Sequence, residues 1–269
     1  MRILITGAAG QLGQHISAAL QARGIQFIAC DRQQLDISNS KQLTQKLTEL
    51  KPDIIINCAA YTQVDLAESN QHACTAINEI AVKHLADYCQ AQQSLLVHFS
   101  TDYVFDGEKN TPYTEQDSPN PINYYGASKR AGELAIQQSQ CPHYILRTSW
   151  LYSNVGRNFY TTMQRLSLQS APVKVVSDQT GTPTHAKDLA AIVVRLILQQ
   201  ELPYGIYHYA GSQVMSWYQF AQRIFQEQGS NTPLLAISSA EYPSIAQRPR
   251  YSALNSQHLS TALRYRSDL

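Results

Sequence analysis

Hydrophobic positions in the first 150 residues fall into short apolar runs, separated by stretches with helical spacing. Arg2–Thr6 is an apolar, β-rich run, and a helical pattern follows it through Arg23 to Gly24. Phe27–Asp31 reads as a second strand, and a helix over about Asn39–Leu50 stops at Lys51-Pro52. Within Asp53–Asn57, Ile54-Ile55-Ile56 has the unbroken apolarity of a strand buried on both faces. A long helix is expected over Ala73–Gln92 and a fourth strand over Leu95–Ser100. A polar, proline-rich loop then reaches about Ile122, a helix continues to about Ser139, and Tyr144–Thr148 is a fifth strand. This alternation predicts an α/β fold built on a doubly wound parallel sheet.

Beyond Trp150 the pattern becomes irregular. Ala186–Gln199 predicts a helix, Ile206–Ala210 a late strand, and Trp217–Gln228 a further helix ahead of a loop-rich tail. Residues 1–149 and 186–211 are expected to make the sheet domain. Residues 150–185 and 212–269 are expected to make a small C-terminal lobe over the sheet's C-terminal edge, where open α/β folds bind ligands.

Composition narrows the partners. Of 269 residues, 15% are charged, below the usual quarter, and the net charge is +1 with no basic or acidic run. That argues against a nucleic acid or a membrane surface as partner. No stretch approaches the roughly eighteen apolar residues of a membrane-spanning helix. Met1–Gly7 lacks a leader's apolar core and reads as the start of a strand. Five cysteines, an odd number without a Cys-x-x-Cys pair, read as reduced thiols of a cytoplasmic protein, and no metal site is indicated.

Gly7-x-x-Gly10-x-x-Gly13 lies between a strand and a helix, the setting a dinucleotide-binding loop requires. Its glycines allow a tight turn and close approach of a pyrophosphate to the free N–H groups of the helix start. Asp31 ends the second strand, where a carboxylate would bind a ribose 2′-hydroxyl, but Arg32 beside it would attract a 2′-phosphate. The two cues conflict, so NADPH and NADH both remain open. Asp36-Ile37 could flank the adenine, although Asp36 also fits an ordinary turn. Ala59-Ala60 lets the backbone lie close to a ligand or pack tightly in the core, and Asn78 either bonds a neighbouring backbone or water or faces solvent.

Tyr125 and Lys129 stand one helical turn apart, on one face. An ammonium near a phenol lowers the phenol's pKa and suits it to proton exchange, though the same spacing fits a bland surface pair. In Ser100-Thr101-Asp102-Tyr103 a hydroxyl could bind a carbonyl oxygen, or simply cap a turn. Trp150, near Tyr152, could stack on a sugar or fill the lobe's core. Arg165, Arg248 and Arg250 are candidates for a diphosphate. None of the eight histidines has a metal-ligand or triad partner at telling spacing.

Together these residues resemble the extended short-chain dehydrogenase/reductase family, through Thr6-Gly7-x-x-Gly10-x-x-Gly13, a Ser/Thr after the fourth strand and Tyr125-x-x-x-Lys129. Narrower blocks point to the branch acting on nucleotide-linked keto sugars. They include Leu35-Asp36-Ile37, Ala59-Ala60-Tyr61-Thr62, Ser100-Thr101-Asp102-Tyr103-Val104-Phe105-Asp106-Gly107 and Arg248-Pro249. The resemblance implies a Rossmann domain that holds NADPH or NADH. Its holders would be Gly7, Gly10, Gln11, Leu12, Gly13, Asp31, Arg32, Asp36, Ile37, Ala59, Ala60, Tyr61, Tyr125 and Lys129. It implies a substrate-binding lobe and hydride transfer to the C4 ketone of a dTDP-4-keto-6-deoxy sugar. The product would be dTDP-L-rhamnose, for cell-surface polysaccharides such as lipopolysaccharide. Tyr125 would be the general acid. Lys129 would lower its pKa and hold the nicotinamide ribose, and Thr101 would bind the carbonyl. Asp102, Tyr103, Trp150 and Arg248 would meet the substrate.

Two other readings stay open. One is a sugar-nucleotide dehydratase or epimerase, although related dehydratases carry an acid where Tyr103 stands. The other is a non-catalytic, cofactor-binding regulatory subunit of methionine adenosyltransferase, against which the intact Thr101, Tyr125 and Lys129 argue. Some family members form a magnesium-bridged dimer through acidic residues; here those positions hold Gln14-His15 and Lys187. A monomer or weak homodimer without a metal is therefore expected.

Overall fold

Six parallel strands form the centre of the computed structural model, which describes residues 1–199 and 202–263. β1 (Ile3–Thr6) is buried throughout and runs into the glycine loop ahead of α1 (Gln11–Gln21). β2 (Ile28–Cys30), α2 (Ser40–Leu50, capped by Asn39) and β3 (Ile54–Asn57) follow. Next come α3 (Val64–Ser69), α4 (Gln71–Thr75), a π-helical turn over Ala76–Ile80, α5 (Ala81–Gln92) and β4 (Leu95–Thr101). α6 (Tyr124–Ser139) and β5 (His143–Thr148) complete the regular part.

The chain then passes through β6 (Leu151–Tyr152), α7 (Phe159–Leu166), β7 (Val173–Val176), β8 (Thr180–Gly181) and β9 (Thr184–His185). It returns to the sheet with α8 (Ala186–Gln199) and β10 (Gly205–His208). β11 (Met215–Ser216), α9 (Trp217–Glu227), β12 (Leu234–Ile237) and α10 (Gln257–Ala262) close the described chain.

The strand order is β2-β1-β3-β4-β5-β10, all parallel, so the doubly wound sheet expected from the sequence is present. The direction of winding reverses between β1 and β3, the switch point where such sheets bind ligands. Ile54, Ile55 and Ile56 show why both faces must be covered. Ile54 and Ile56 pack with α1 and α8, and Ile55 packs with α2 and α5. The alternation carries polar residues too. Thr6, Asn57 and His98 are register partners on three adjacent strands, on the face that Leu4, Ile55 and Leu96 share.

Two expectations need correction. The second strand is shorter than Phe27–Asp31, because it lies at the sheet's edge and only Cys30 of its three residues is buried. The helix over Ala73–Gln92 is not continuous: a π turn interrupts it at Ala76–Ile80. That turn carries the Asn78 side chain inward, where it bonds both backbone groups of Tyr61 (N–H at 2.9 Å, O at 3.0 Å) and Ser128 Oγ at 3.0 Å. Asn78 thus bonds a backbone rather than facing solvent.

A separate apolar cluster lies beyond the sheet. Met163, Val173, Val175, Phe220, Ala221, Ile224 and Phe225 pack α7 and α9 on the β7–β12 ribbon. Among the described residues, no helix is long and apolar enough to cross a membrane.

Candidate active site

The glycine loop is shaped by lack of space. Gly7 has φ +62°, and a Cβ there would sit 2.6 Å from the Ala59 nitrogen, so loop and β3 end touch backbone to backbone. This contact is what the small residue at position 59 permits. No side chain caps α1, whereas α2, α6, α7 and α9 are capped by Asn39, Asn123, Asn158 and Ser216. The first-turn N–H groups of α1 are left to an anion. Gln11 commits its amide to the far side of the cleft. It donates to the Leu151 oxygen at 3.1 Å and accepts from Asn158 at 2.7 Å.

This loop opens onto a cavity of about 640 Å3. Its walls bring together Gly10, Gln11, Leu12, Ala60, Thr101, Asp102, Tyr103, Tyr125, Lys129 and Trp150. Gly7, Gly13, Ala59 and Tyr61 are not among the lining residues. Asp31, Arg32, Asp36 and Ile37 are not among the lining residues either. Asp31 accepts from the N–H groups of Gln33 and Gln34 at 2.9 Å each, and exposed Arg32 lies 3.4 Å from Asp36. Ile37 is buried in the core.

α6 delivers the Tyr and Lys. Asn123 caps it by accepting from the Gly126 N–H at 2.8 Å. A Cβ on Gly126 would lie 2.1 Å from the Tyr103 oxygen, so only glycine lets α6 meet the turn after β4. Deeper in, fully buried Glu133 binds Arg147 of β5 at 2.7 Å and Arg130 at 2.8 Å, which fixes the helix against the sheet.

The chemistry-bearing groups are strongly desolvated. Burial pushes the Tyr125 phenol well above its ordinary pKa, and Thr101 is the one neighbour favouring its charged form. No hydrogen bond joins Tyr125 to Lys129, and the lysine is not among the groups that shift the phenol, so the expected lowering by Lys129 is not seen in the free protein. Burial also pushes Lys129 down to about 8, with Glu133 opposing. Thr101 Oγ1 donates to Asp102 Oδ1 at 3.1 Å and accepts from the Tyr103 N–H at 3.1 Å. Asp102, raised to about 7 by burial, keeps its other oxygen buried without a hydrogen bond.

Trp150 is held at φ +46° and lies flat on Trp217. Trp217 faces both this cavity and a second one of about 810 Å3. Lys174, Arg248 and Arg250 line the second cavity, and Arg165 stands exposed outside it. Arg248 is tied to Asp65 at 2.7 Å and also bonds Ser244.

Sequence reasoning missed Trp217 and His98. His98 Nε2 lies 3.2 Å from Lys129 Nζ, and its one sequence signal is a polar residue inside the apolar run Leu95–Phe99. Among the described residues, no group of three or more His, Cys, Asp or Glu is placed to hold a metal ion.

A family model described as the RmlD substrate binding domain matches residues 1–268. The dTDP-4-dehydrorhamnose reductase of Aggregatibacter actinomycetemcomitans is 40% identical over 265 residues, covering 94% of this chain and 90% of that one. The spore coat polysaccharide biosynthesis protein SpsK of Bacillus subtilis is 38% identical over 261 residues, covering 97% and 91%. The crystal structure of dTDP-4-dehydrorhamnose reductase from Bacillus anthracis in complex with NADP superposes with a TM-score of 0.92 at 40% identity, covering 97% of this chain and 92% of that one.

Proposed function

The chain belongs to the RmlD substrate-binding-domain family, and from that membership we infer an NAD(P)H-dependent oxidoreductase of dTDP-rhamnose synthesis. It reduces the C4 ketone of a dTDP-4-keto-6-deoxy sugar to give dTDP-L-rhamnose for cell-surface polysaccharide. The observation carrying this reading is that Thr101, Tyr125 and Lys129 share one cavity with the uncapped start of α1.

The residues present fit a dinucleotide. The Gly7 turn leaves no room for a side chain, and the α1 N–H groups are free for a pyrophosphate. Gly10, Gln11, Leu12 and Ala60 would hold the cofactor from the wall. Asp31 and Arg32 would meet its adenosine ribose at the rim, beside Asp36 and Ile37. When bound, the reduced nicotinamide supplies the hydride, the two electrons that convert ketone to alkoxide.

The remaining work belongs to the chain. Tyr125 gives a proton to the C4 oxygen. Its raised pKa keeps that proton in place at neutral pH, as a reduction needs. Thr101 Oγ1 turns from Asp102 to donate to the same oxygen. Lys129 holds the nicotinamide ribose and offsets the phenolate's charge once the proton has left. Asp102, Tyr103 and Trp150 face the sugar. The nucleotide lies in the larger cavity beside Lys174, Arg248 and Arg250. Residues 1–149 with 186–211 bind the cofactor, and 150–185 with 212–269 bind the substrate.

The enzyme works in the cytoplasm as a monomer or weak homodimer. His15, its ring 6.0 Å from that of His185, and Lys187 stand where bridging carboxylates would be needed, and neither offers an oxygen ligand to a hard cation.

The test is NADPH absorbance loss with dTDP-4-keto-6-deoxy-L-mannose, with NADH run in parallel. Consumption with dTDP-rhamnose as product is expected. Cofactor binding without consumption would overturn the reading in favour of another sugar or a regulatory subunit. Tyr125→Phe should keep cofactor binding and lose about 10²–10⁴-fold in turnover.

A further inference from the structure

Lys129 is 2% exposed, yet among the described residues no carboxylate reaches it. Glu133, one turn along α6, spends both oxygens on Arg147 and Arg130. The polar atom beside Lys129 Nζ is His98 Nε2 at 3.2 Å. His98 is fully buried, and its Nδ1 lies 3.1 Å from the Asn57 amide. Asn57 in turn meets Thr6 Oγ1 at 2.6 Å. Strand register sets this row, since Thr6, Asn57 and His98 are partners across β1, β3 and β4. It ends under α6, directly at the lysine.

We propose that His98, braced by Asn57 and Thr6, is the positioning residue that holds Lys129 in the active site in either charge state. The choice of imidazole follows from its chemistry. An ammonium only donates, so it needs a bare Nε2, which places the ring proton on Nδ1 against the Asn57 oxygen. A neutral amine accepts instead from Nε2–H, and Nδ1 then accepts from the Asn57 NH2. The Asn57 amide serves both arrangements by facing one way or the other. A carboxylate in this place would hold the ammonium and lock its charge. An apolar residue would leave a buried ammonium unpartnered.

The other titratable groups acting on Lys129 are Glu133 and the Cys74 thiol of α4. Burial and Lys129 keep the His98 ring uncharged. This inference rests on the reductase reading only for its kinetic test.

Two variants separate positioning from scaffolding. Glutamine carries its polar atoms near the Nε2 position, and asparagine only near Nδ1. His98→Asn should lower kcat more than tenfold and move the alkaline limb of kcat/KM down by a pH unit or more, as the unpartnered ammonium loses its proton earlier. His98→Gln should restore the limb to the wild-type position. Equal losses at every pH in both variants would reduce His98 to a scaffold residue and overturn the proposal.

A second measurement needs neither variant nor substrate. In ¹⁵N-histidine-labelled wild-type protein, the His98 ring nitrogens should respond as Lys129, lowered by burial to about 8, titrates. The response should vanish in Lys129→Met. Ring signals that ignore pH through that titration would overturn the proposal even if the protein reduced no sugar.

Discussion

Trp150 lies flat on Trp217, ring centroids 3.4 Å apart and planes 5° from parallel. Beneath it, a Cβ on Gly181 would come within 2.5 Å of the Trp150 ring. The stack holds Trp150 in a left-handed backbone conformation and stands between the two cavities. An aromatic pair of this kind is worth about 0.5–1.5 kcal/mol beyond its buried area. Trp217→Ala should therefore raise KM for the nucleotide sugar by roughly 2–15-fold. The NADPH dissociation constant should stay within about twofold, as fluorescence titration would read. Equal weakening of both ligands would deny Trp217 a place in the substrate path.

Asp102 is a buried carboxyl beside the reacting groups, and its pKa stands at about 7 instead of the ordinary 3.8. The folded state therefore binds the proton more tightly than the unfolded state between these values. Folding stability falls as pH rises from about 4 to 7, and the penalty is fully present above 7. Three units correspond to roughly 4 kcal/mol as an upper bound. Asp102→Asn should raise the melting temperature at pH 8 by several degrees and by little at pH 4. A variant melting lower than wild type at pH 8 would mean that the carboxylate is compensated in the fold.

Arg32 is exposed and, among the described residues, reaches only Asp36, at 3.4 Å. Asp31 spends Oδ1 on its own turn, which leaves Oδ2 to face a ribose. An exposed guanidinium able to leave Asp36 for a 2′-phosphate would favour NADPH, while the remaining carboxylate oxygen of Asp31 would tolerate NADH. Arg32→Ala should raise KM for NADPH about tenfold, close to 1.4 kcal/mol, and leave KM for NADH nearly unchanged. An unchanged ratio in initial-rate assays would remove Arg32 from cofactor selection.

What the sequence revealed and what it hid follow from distance along the chain. The glycine loop is local, and so is the turn of helix joining Tyr125 to Lys129; spacing brings both to notice, although for the Tyr–Lys pair it fits a bland surface pair as well and the surrounding motifs carry the reading. Contacts made by strand register or by folding back of the tail leave no such trace. His98 and Lys129 are 31 positions apart, and Arg248 and Asp65 are 183 apart. The π turn was hidden for a related reason. Helical spacing runs unbroken through Ala73–Gln92, and the bulge is seen only with Asn78 bound to the Tyr61 backbone.

Gly126 joins the local and distant parts of the site. It follows Tyr125, and its N–H is capped by Asn123, whose own amide donates to the Gln247 oxygen in the tail at 2.9 Å. The Tyr103 oxygen leaves no space for a Cβ at 126, and the Pro121 side chain closes the other side. In Gly126→Ala, either α6 or the Thr101–Tyr103 turn must retreat. Both movements separate Tyr125 from Thr101, the neighbour that eases formation of the phenolate. Overpacking of this kind typically costs about 1–3 kcal/mol. A misplacement of about 1 Å can cost 10²-fold in rate. The variant should fold with a lowered melting temperature, still bind NADPH through the α1 loop, and lose about 10²-fold in kcat. Wild-type kcat in a folded Gly126→Ala protein would show that α6 need not touch the turn after β4 for Tyr125 to act.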